Sequence, residues 1–318
     1  MWFENCTYSA IKDCTQVLLK IKGMLPMYSK YKMIIAKFDP KSFPANAPSQ
    51  PELRIPSYCD TKTVAYYAPF DHINREAQVL FVGITPGREQ MNNALRAACE
   101  AIRAGMSDTE TLRSTKRKAS FSGEMRQNLV STLNHYGFHS RYSLSTCHEL
   151  WEDADHLAHF TSALKFPVFT LSGTKEANYT GGSPDLNKYT PFRERLREIA
   201  NDLKAVPNAF VLPLGDKVAS AIQRLVDEGV IPLSRVLNAE SQVAEFPHPS
   251  PSNKESQNLA LSQSLETKDA YAERMYANYV EKPRTVGKPM KEKRSYFNTR
   301  YSYWKRARLT RLALDALR

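Results

Sequence analysis

The feature that most constrains the fold is a short apolar segment, QVLFVGI at residues 78–84, which stops at the turn TPG at 85–87. Apolar residues resume afterwards at helical spacing, which predicts a strand, a tight turn and a helix in succession. Residues 209–214 (AFVLPL) repeat the arrangement, because they end at Gly215 and precede a second amphipathic stretch that stops at Gly229. Strands that alternate with helices predict an α/β fold with a mainly parallel central sheet and helices on both faces.

Other segments fit this pattern. Helices are predicted at about 124–136 and from Thr190 onwards, and a strand at about 160–165. A helix near 9–22 and an extended proline-rich connection at 38–56 precede this core. Ligands of such sheets bind beyond the carboxyl ends of the strands. We therefore expect the chemistry at the turns that follow residues 84, 164, 214 and 246.

The 318 residues have a formal charge of +11 that is unevenly distributed. Residues 281–318 contain twelve Lys or Arg and three acidic residues, a net charge of +9, which leaves about +2 for the rest of the chain. Such a block is typical of a solvated tail. However, Tyr303 and Trp304 stand beside Lys305 and Arg306, which favours phosphate neutralisation and stacking against nucleic acid. We expect an N-terminal extension at 1–69, an α/β domain at 70–280 and a basic aromatic C-terminal extension at 281–318.

The chain has no sequence signal for secretion or membrane insertion. Its N-terminus lacks a basic start followed by an apolar run, and no segment reaches the roughly 18 apolar residues of a membrane span. We expect a cytoplasmic, monomeric protein that does not bind membranes. The five cysteines form no CxxC pair, so free thiols are expected, and no metal, iron–sulfur cluster or other cofactor is predicted.

Two turns carry candidate chemistry. GITPG at 83–87 is by itself a strand-to-helix turn whose second glycine lets backbone N–H groups approach an anion. HPSP at 248–251 is by itself a rigid surface turn, in which two prolines fix φ and Ser250 caps the helix that follows. Each turn alone is compatible with a purely structural role.

In this order, and about 160 residues apart, the two turns resemble the signature motifs of the uracil-DNA glycosylase superfamily. Three further segments are similar to elements of that family: FSG at 121–123 to the segment with a base-stacking phenylalanine, FTSALK at 160–165 to the strand with a base-reading asparagine, and LPLG at 212–215 to a later strand-to-glycine turn. The resemblance covers about residues 70–265. It implies the family's fold, DNA as the partner, and cleavage of the N-glycosidic bond of a nucleotide flipped out of DNA.

The resemblance also implies a role for each matching residue. His248 donates a hydrogen bond to the pyrimidine O2 as negative charge develops on the leaving base. Phe121 stacks on the flipped base, the alternative being an ordinary core phenylalanine, and Thr85 places the attacking water. The other candidates are Ser162 and Ile84 at the base, and Gly87, Ser250, Ser252, Lys305 and Arg306 at DNA phosphates.

The sequence departs from the family's pattern at two of these positions. The uracil enzymes have Asp or Asn where this chain has Thr85, and a threonine orients water but is a poor general base. Cleavage then relies either on leaving-group stabilisation or on another carboxylate, with Glu89 and Asp71 nearest in sequence. Ser162 stands at or near the place of the base-reading asparagine, which argues against strict uracil selection and leaves room for a bulkier pyrimidine.

The third departure is an insertion at about 92–119. Its cations are either a solvated surface or a contact to DNA or to a base substituent beside the pocket. They are Arg96, Arg103, Arg113, Lys116, Arg117 and Lys118.

The sequence thus favours a monofunctional DNA glycosylase that releases a modified pyrimidine and leaves an abasic site, with defence against phage carrying hypermodified DNA as a biological setting. The alternatives are an ordinary uracil or mismatch repair glycosylase, and a catalytically inactive DNA-binding relative.

Overall fold

The computed structural model of the chain describes residues 27–262, 267–281 and 290–317, with some side chains beyond residue 254 left undescribed. The strands are β1 (Thr63–Ala65), β2 (Val79–Gly83), β3 (Ala158–Ser162), β4 (Val168–Ser172), β5 (Lys175–Asn178), β6 (Phe210–Pro213), β7 (Asn238–Ala239) and β8 (Gln242–Val243). The helices are α1 (Met27–Ile35), α2 (Arg88–Arg103), α3 (Asp108–Ala119), α4 (Glu124–His135), α5 (Phe138–Arg141), α6 (Thr190–Ala205), α7 (Asp216–Asp227), α8 (Lys254–Leu261), α9 (Lys268–Glu281) and α10 (Met290–Asp315). The helix expected near residues 9–22 lies outside the described residues.

The centre of the fold is a parallel sheet with the strand order β3-β2-β6. Along β2, side chains alternate between two apolar clusters, as they must in a strand buried on both faces. Val79 and Phe81 pack in the cluster that includes Leu129 of α4, whereas Leu80 and Val82 pack with residues of α6 and α7. A parallel α/β sheet with helices on both faces is therefore present, as the sequence predicts.

The strands outside this centre are antiparallel. β1, β4 and β5 form a separate three-stranded sheet, and β7 pairs with β8. The described part of the expected N-terminal extension belongs to this core, because β1 pairs with β4, and Tyr28 and Ile35 of α1 pack with Leu95 of α2. The connection at 38–56 is only partly extended, since it contains 3₁₀ turns. These are Pro40–Ser42, Pro51–Leu53 and Pro56–Tyr58.

The C-terminal basic segment is packed against the domain and is not a solvated tail in its described part. Ala313 and Leu314 of α10 are buried in the same apolar cluster as Phe81. The Thr310 hydroxyl donates a 2.6 Å hydrogen bond to the main-chain oxygen of Glu245. The helix therefore approaches the sheet near the HPSP turn. Among the described residues, no helix combines the length and the hydropathy needed to cross a membrane.

Candidate functional site

The carboxyl ends of β3, β2 and β6 open onto a cavity of about 260 Å³. Parallel strands end at the same edge of a sheet, and a parallel bridge from Leu214 to Phe246 extends that edge to the HPSP turn. The residues of the two motifs that line the cavity are Gly83, Ile84, Thr85, Gly87, His248 and Ser250. The structure therefore brings the two motifs together, as the sequence predicts, whereas their roles toward a substrate remain predictions.

A glycine is required where β6 meets the HPSP turn. Gly215 has φ +90°, and its N–H donates to the main-chain oxygen of Phe246 over 2.9 Å. A Cβ built on Gly215 would lie 3.1 Å from Cβ and 3.2 Å from Cδ2 of His248. The LPLG turn thus allows the imidazole to approach the strand end closely.

Phe121 lines the cavity and has an unusual backbone conformation. Its φ is +49°, which is rare for a bulky residue, and its N–H donates a 3.0 Å hydrogen bond to Oε1 of Gln90. The ring lines the cavity and would lie 3.1 Å from a Cβ built on Gly83. It also makes an edge-to-face contact with Phe160, with centroids 6.0 Å apart. Phe121 is therefore both a core residue and part of the cavity wall.

Ser162 ends β3 beside Phe121 and lines the same cavity. Within the part of the chain that the structure describes, its hydroxyl has no hydrogen-bond partner, so it can donate to or accept from a ligand. Ile84 supplies an apolar wall and packs toward Gly181. All three residues predicted to contact the base, Phe121, Ser162 and Ile84, therefore line the cavity.

His248 is held as a neutral hydrogen-bond donor. Its Nδ1 accepts from the N–H of Ser250 over 3.2 Å and lies 3.3 Å from Nδ2 of Asn253. Because Nδ1 is an acceptor, the proton of the neutral ring is assigned to Nε2. Burial lowers the pKa of His248 to about 4, although the negative charge of Asp216 opposes the shift. The imidazole is therefore neutral at physiological pH.

Side-chain amides from two helices fix the HPSP turn. Nε2 of Gln257 donates to the main-chain oxygens of His248 and Ser250 over 2.8 and 2.9 Å, and Nδ2 of Asn128 donates to that of Pro249 over 3.0 Å. The hydroxyls of Ser250 and Ser252 lie 2.9 Å apart, and both residues line the cavity. Two of the predicted phosphate contacts thus lie together in this turn.

The Thr85 hydroxyl connects the first motif to β4. It donates to the main-chain oxygen of Phe166 over 2.7 Å and accepts from the N–H of Val168 over 3.1 Å. A hydroxyl has one donor and two acceptor lone pairs, so a single lone pair is left to accept from a water. If Thr85 places the attacking water, as predicted, its hydroxyl can do so only by accepting a hydrogen bond at that lone pair.

The two carboxylates nearest to the motif in sequence do not line the cavity. Glu89 is exposed, and its Oε1 lies against Gly123. Asp71 accepts a 2.7 Å hydrogen bond from the Tyr67 hydroxyl, and burial raises its pKa. Closeness in sequence is a poor guide here: Gln90 of α2 lines the cavity, whereas its neighbour Glu89 and the more distant Asp71 do not.

Two other carboxylates do line the cavity, and the motif comparison does not identify them. Glu245 is 7% exposed, and its Oε1 lies 3.1 Å from Nε of Arg306. Burial raises the pKa of Glu245 to about 7 against the stabilising charge of Arg306. Asp216 lies 3.8 Å from Nη1 of the same arginine. Asp216 directly follows the LPLG turn and could have been found by that position, whereas no local signal marks Glu245.

The predicted phosphate-binding cations have different surroundings. Arg306 lines the cavity and is engaged by the two carboxylates, so a phosphate would have to compete with them. Lys305 is exposed, lies 4.7 Å from the ring centroid of Tyr301 and does not line the cavity. At Gly87, Oδ1 of Asn178 already accepts the N–H of Arg88 over 3.0 Å, which occupies one donor at the start of α2.

The basic insertion does not border this cavity, contrary to the expectation that it lies beside the pocket. Arg113, Lys116 and Arg117 line a different cavity of about 340 Å³ with the segments that precede β2 and β3. The insertion lies away from the candidate site because α3 packs back on α2. This packing places the cations near the amino ends of the strands. Asp155 accepts from Arg113 over 2.6 and 2.8 Å.

Comparison with known proteins identifies a relative in Bacillus subtilis. The chain is 32% identical over 197 residues to the uncharacterized protein YoxB of Bacillus subtilis (strain 168), and the match covers 59% of this chain and 71% of that protein. No protein-family model matches the chain, and no solved structure does. The identity and the coverage show that the chain belongs to the same family as YoxB.

Proposed function

We propose that the protein is a monofunctional DNA glycosylase of the uracil-DNA glycosylase type, which hydrolyses the N-glycosidic bond of a flipped pyrimidine. The observation that carries the proposal is the cavity shared by the two motifs, with a neutral His248 in its wall. The cavity volume of about 260 Å³ corresponds to roughly nine waters, at about 30 Å³ per water in the liquid. A single nucleobase fits into a space of this size.

The cleavage step follows from the position of the proton on His248. Bond breaking leaves negative charge on the base and positive charge on the sugar. A neutral imidazole can donate a hydrogen bond from Nε2 to O2 of the base anion. It stabilises the anion in this way without transferring its proton. The donor is fixed before the reaction by the N–H of Ser250 on the opposite ring nitrogen, so little reorganisation is needed in the transition state.

The wall of the cavity supports a modified pyrimidine as the substrate. Ser162 has one small hydroxyl where uracil recognition by the family uses an amide, so this position lacks the paired donor and acceptor that select uracil. Polar and charged side chains extend the cavity beyond the motifs and provide partners for a substituent. They are Asn178, Thr180, Asp216, Lys217, Glu245 and Arg306. DNA containing such bases, as in phage with hypermodified genomes, is the substrate that we propose, and the protein acts on it as a monomer.

The test is to incubate the protein with DNA that contains uracil or one of a panel of modified pyrimidines, to cleave abasic sites with alkali, and to identify released bases by mass spectrometry. We expect release of a modified pyrimidine by the wild type. For His248→Ala we expect a loss of at least about a hundredfold with DNA binding retained, because a preorganised donor contributes on that scale. Release of uracil alone would identify a repair glycosylase.

The absence of any abasic product would overturn the enzymatic proposal. Salt-sensitive DNA binding without cleavage would then support a catalytically inactive relative. The engagement of the Thr85 hydroxyl by two main-chain groups is the observation that favours that second candidate.

A further inference from the structure

We propose that Asp216 is the general base that takes the proton from the attacking water, an inference that rests on the glycosylase function proposed above. The residue lies on the cavity wall directly after the strand-to-glycine turn, next to His248. It would take the place of the Asp or Asn that the uracil enzymes have in the first motif and that this chain lacks.

The other candidate proton acceptors are excluded by their contacts or by their positions. The Thr85 hydroxyl is held by Phe166 and Val168, and Glu89 and Asp71 do not line the cavity. Among the carboxylates that the structure describes, only Asp216 and Glu245 line it. The choice is therefore between these two side chains.

Exposure decides between them. The side chain of Glu245 is 7% exposed, Arg306 holds its Oε1, and its Oε2 is buried with no hydrogen-bond partner. A water that attacks a sugar cannot reach such an oxygen without displacing protein atoms. The side chain of Asp216 is 46% exposed, and its cation lies at the longer distance of 3.8 Å. Asp216 can thus accept a hydrogen bond from a water in the cavity.

The ion pairs around Asp216 fix its position. Arg306 of α10 bridges Asp216 and Glu245, and its Nη1 also donates to the Ser302 hydroxyl over 3.2 Å. His248 faces Asp216 from the HPSP turn as a neutral ring. Lys217, the next residue of α7, forms its ion pair with Asp185, at 3.4 Å between Nζ and Oδ2. In this arrangement Glu245 is a positioning residue, which holds the guanidinium that orients Asp216.

The proposed step is a hydrolysis of the N-glycosidic bond. The water oxygen forms a bond to C1′ of the sugar while one of its protons passes to the Asp216 carboxylate. The bond between C1′ and the base nitrogen breaks, and its electron pair leaves with the base. His248 donates a hydrogen bond from Nε2 to that anion, which later takes a proton from solvent. The products are the free base and an abasic site with a C1′ hydroxyl.

A structural role must be separated from this catalytic one, because an acidic residue in the first turn of a helix also stabilises the helix dipole. Glu89 is the matched control: it lies in the first turn of α2, which follows β2 as α7 follows β6, but it does not line the cavity. Asp216→Asn and Glu89→Gln each remove one such charge with little change of shape.

The experiment measures single-turnover base release as a function of pH for the wild type, Asp216→Asn and Glu89→Gln, with thermal unfolding as a check on folding. For Asp216→Asn we expect a loss of about a hundredfold or more, disappearance of the fall in rate at acidic pH, and partial rescue by added formate, since general-base catalysis contributes on that scale. Glu89→Gln should match the wild type.

Two results would overturn the inference: a wild-type rate and pH profile for Asp216→Asn, or an equal loss in both variants. A wild type that releases no base from any DNA would instead remove the proposed function itself, so the two failures are distinguishable.

Discussion

The main-chain N–H of Ser250 lies 3.2 Å from Nδ1 of His248, two residues earlier in the same turn. This short-range contact determines the tautomer of His248. Because Nδ1 accepts the hydrogen bond, the ring proton is on Nε2. Pro249 between them restricts the backbone to a narrow range of φ, so the donor and the acceptor are held together by covalent geometry as well as by packing. A histidine in a flexible loop would not have a defined tautomer.

The neutrality of His248 predicts how stability depends on pH. Burial lowers the folded-state pKa of His248 and of His72 to about 4, and the charges of Lys116 and Arg113 assist at His72. The unfolded chain therefore binds more protons than the folded protein below the ordinary histidine pKa of 6.5. The stabilising contribution is present above that pH and is lost as the pH falls toward 4.

We expect the unfolding free energy to fall by roughly 2 kcal/mol per imidazole between about pH 7 and about pH 5, at about 1.4 kcal/mol per pKa unit. Urea unfolding at the two pH values measures the change. His72→Gln, which is outside the candidate site, should reduce the fall by the contribution of that imidazole, roughly 2 kcal/mol, and an unchanged fall would show that His72 does not contribute.

Gly215→Ala is expected to impair both stability and activity. Its φ of +90° is unfavourable for alanine, and the added Cβ would press on His248 at 3.1 Å. Gly229→Ala is the control, because Gly229 has φ +70° but nothing within 4 Å of a built Cβ. Both variants should lose roughly 1 to 3 kcal/mol of stability from backbone strain. Only Gly215→Ala should lose base release in the abasic-site assay; equal activities would show that His248 tolerates the contact.

The parallel core could be predicted from sequence because its determinants are local. Residues 78–84 form β2 within one residue at each end, and α6 begins at Thr190, where the sequence predicts a helix to start. The antiparallel sheet could not, since β1 and β4 are about a hundred residues apart and pair through main-chain groups that leave no sequence signature. For the same reason the sequence does not predict that α10 packs against the domain, although Ala313 and Leu314 are buried in the core.

The site was predictable where one motif defines it and not where two distant segments meet. His248, Phe121 and Ser162 follow from the motif comparison, and they do line one cavity. The ion pair of Glu245 with Arg306 joins residues 61 positions apart, and no residue pattern in either segment indicates the other. The use of the Thr85 hydroxyl by β4 is equally invisible in sequence, because its partners are main-chain atoms.

Thr85→Val is expected to destabilise the protein by about 1 to 3 kcal/mol, the cost of leaving partly buried main-chain groups without a partner. Valine keeps the shape of the side chain but removes the hydroxyl that bonds Phe166 and Val168. Thr85→Ser retains the hydroxyl and should be close to the wild type. Chemical denaturation compares the three proteins. If valine is as stable as serine at this position, the hydroxyl does not hold the turn to β4.

Whether α10 contributes to the proposed DNA binding must be measured without removing the helix, because its deletion would expose the core around Ala313 and Leu314. Lys305 is exposed on this helix, with its ammonium over the ring of Tyr301. If Lys305 neutralises one phosphate, Lys305→Gln should reduce the slope of log affinity against log salt concentration by about 0.9 for duplex DNA, or about 0.7 for a single strand.

Lys30→Gln is the matched control for this measurement. Lys30 is also an exposed helical lysine over a tyrosine ring, 5.4 Å from the centroid of Tyr31, but it lies on α1 and does not line the cavity. Both changes alter the net charge of the protein equally, so a general electrostatic effect would lower both slopes alike. Fluorescence anisotropy titrations at several salt concentrations give the slopes. A lower slope for Lys305→Gln alone would place the nucleic acid along α10, whereas equal slopes would exclude a specific phosphate contact at this lysine.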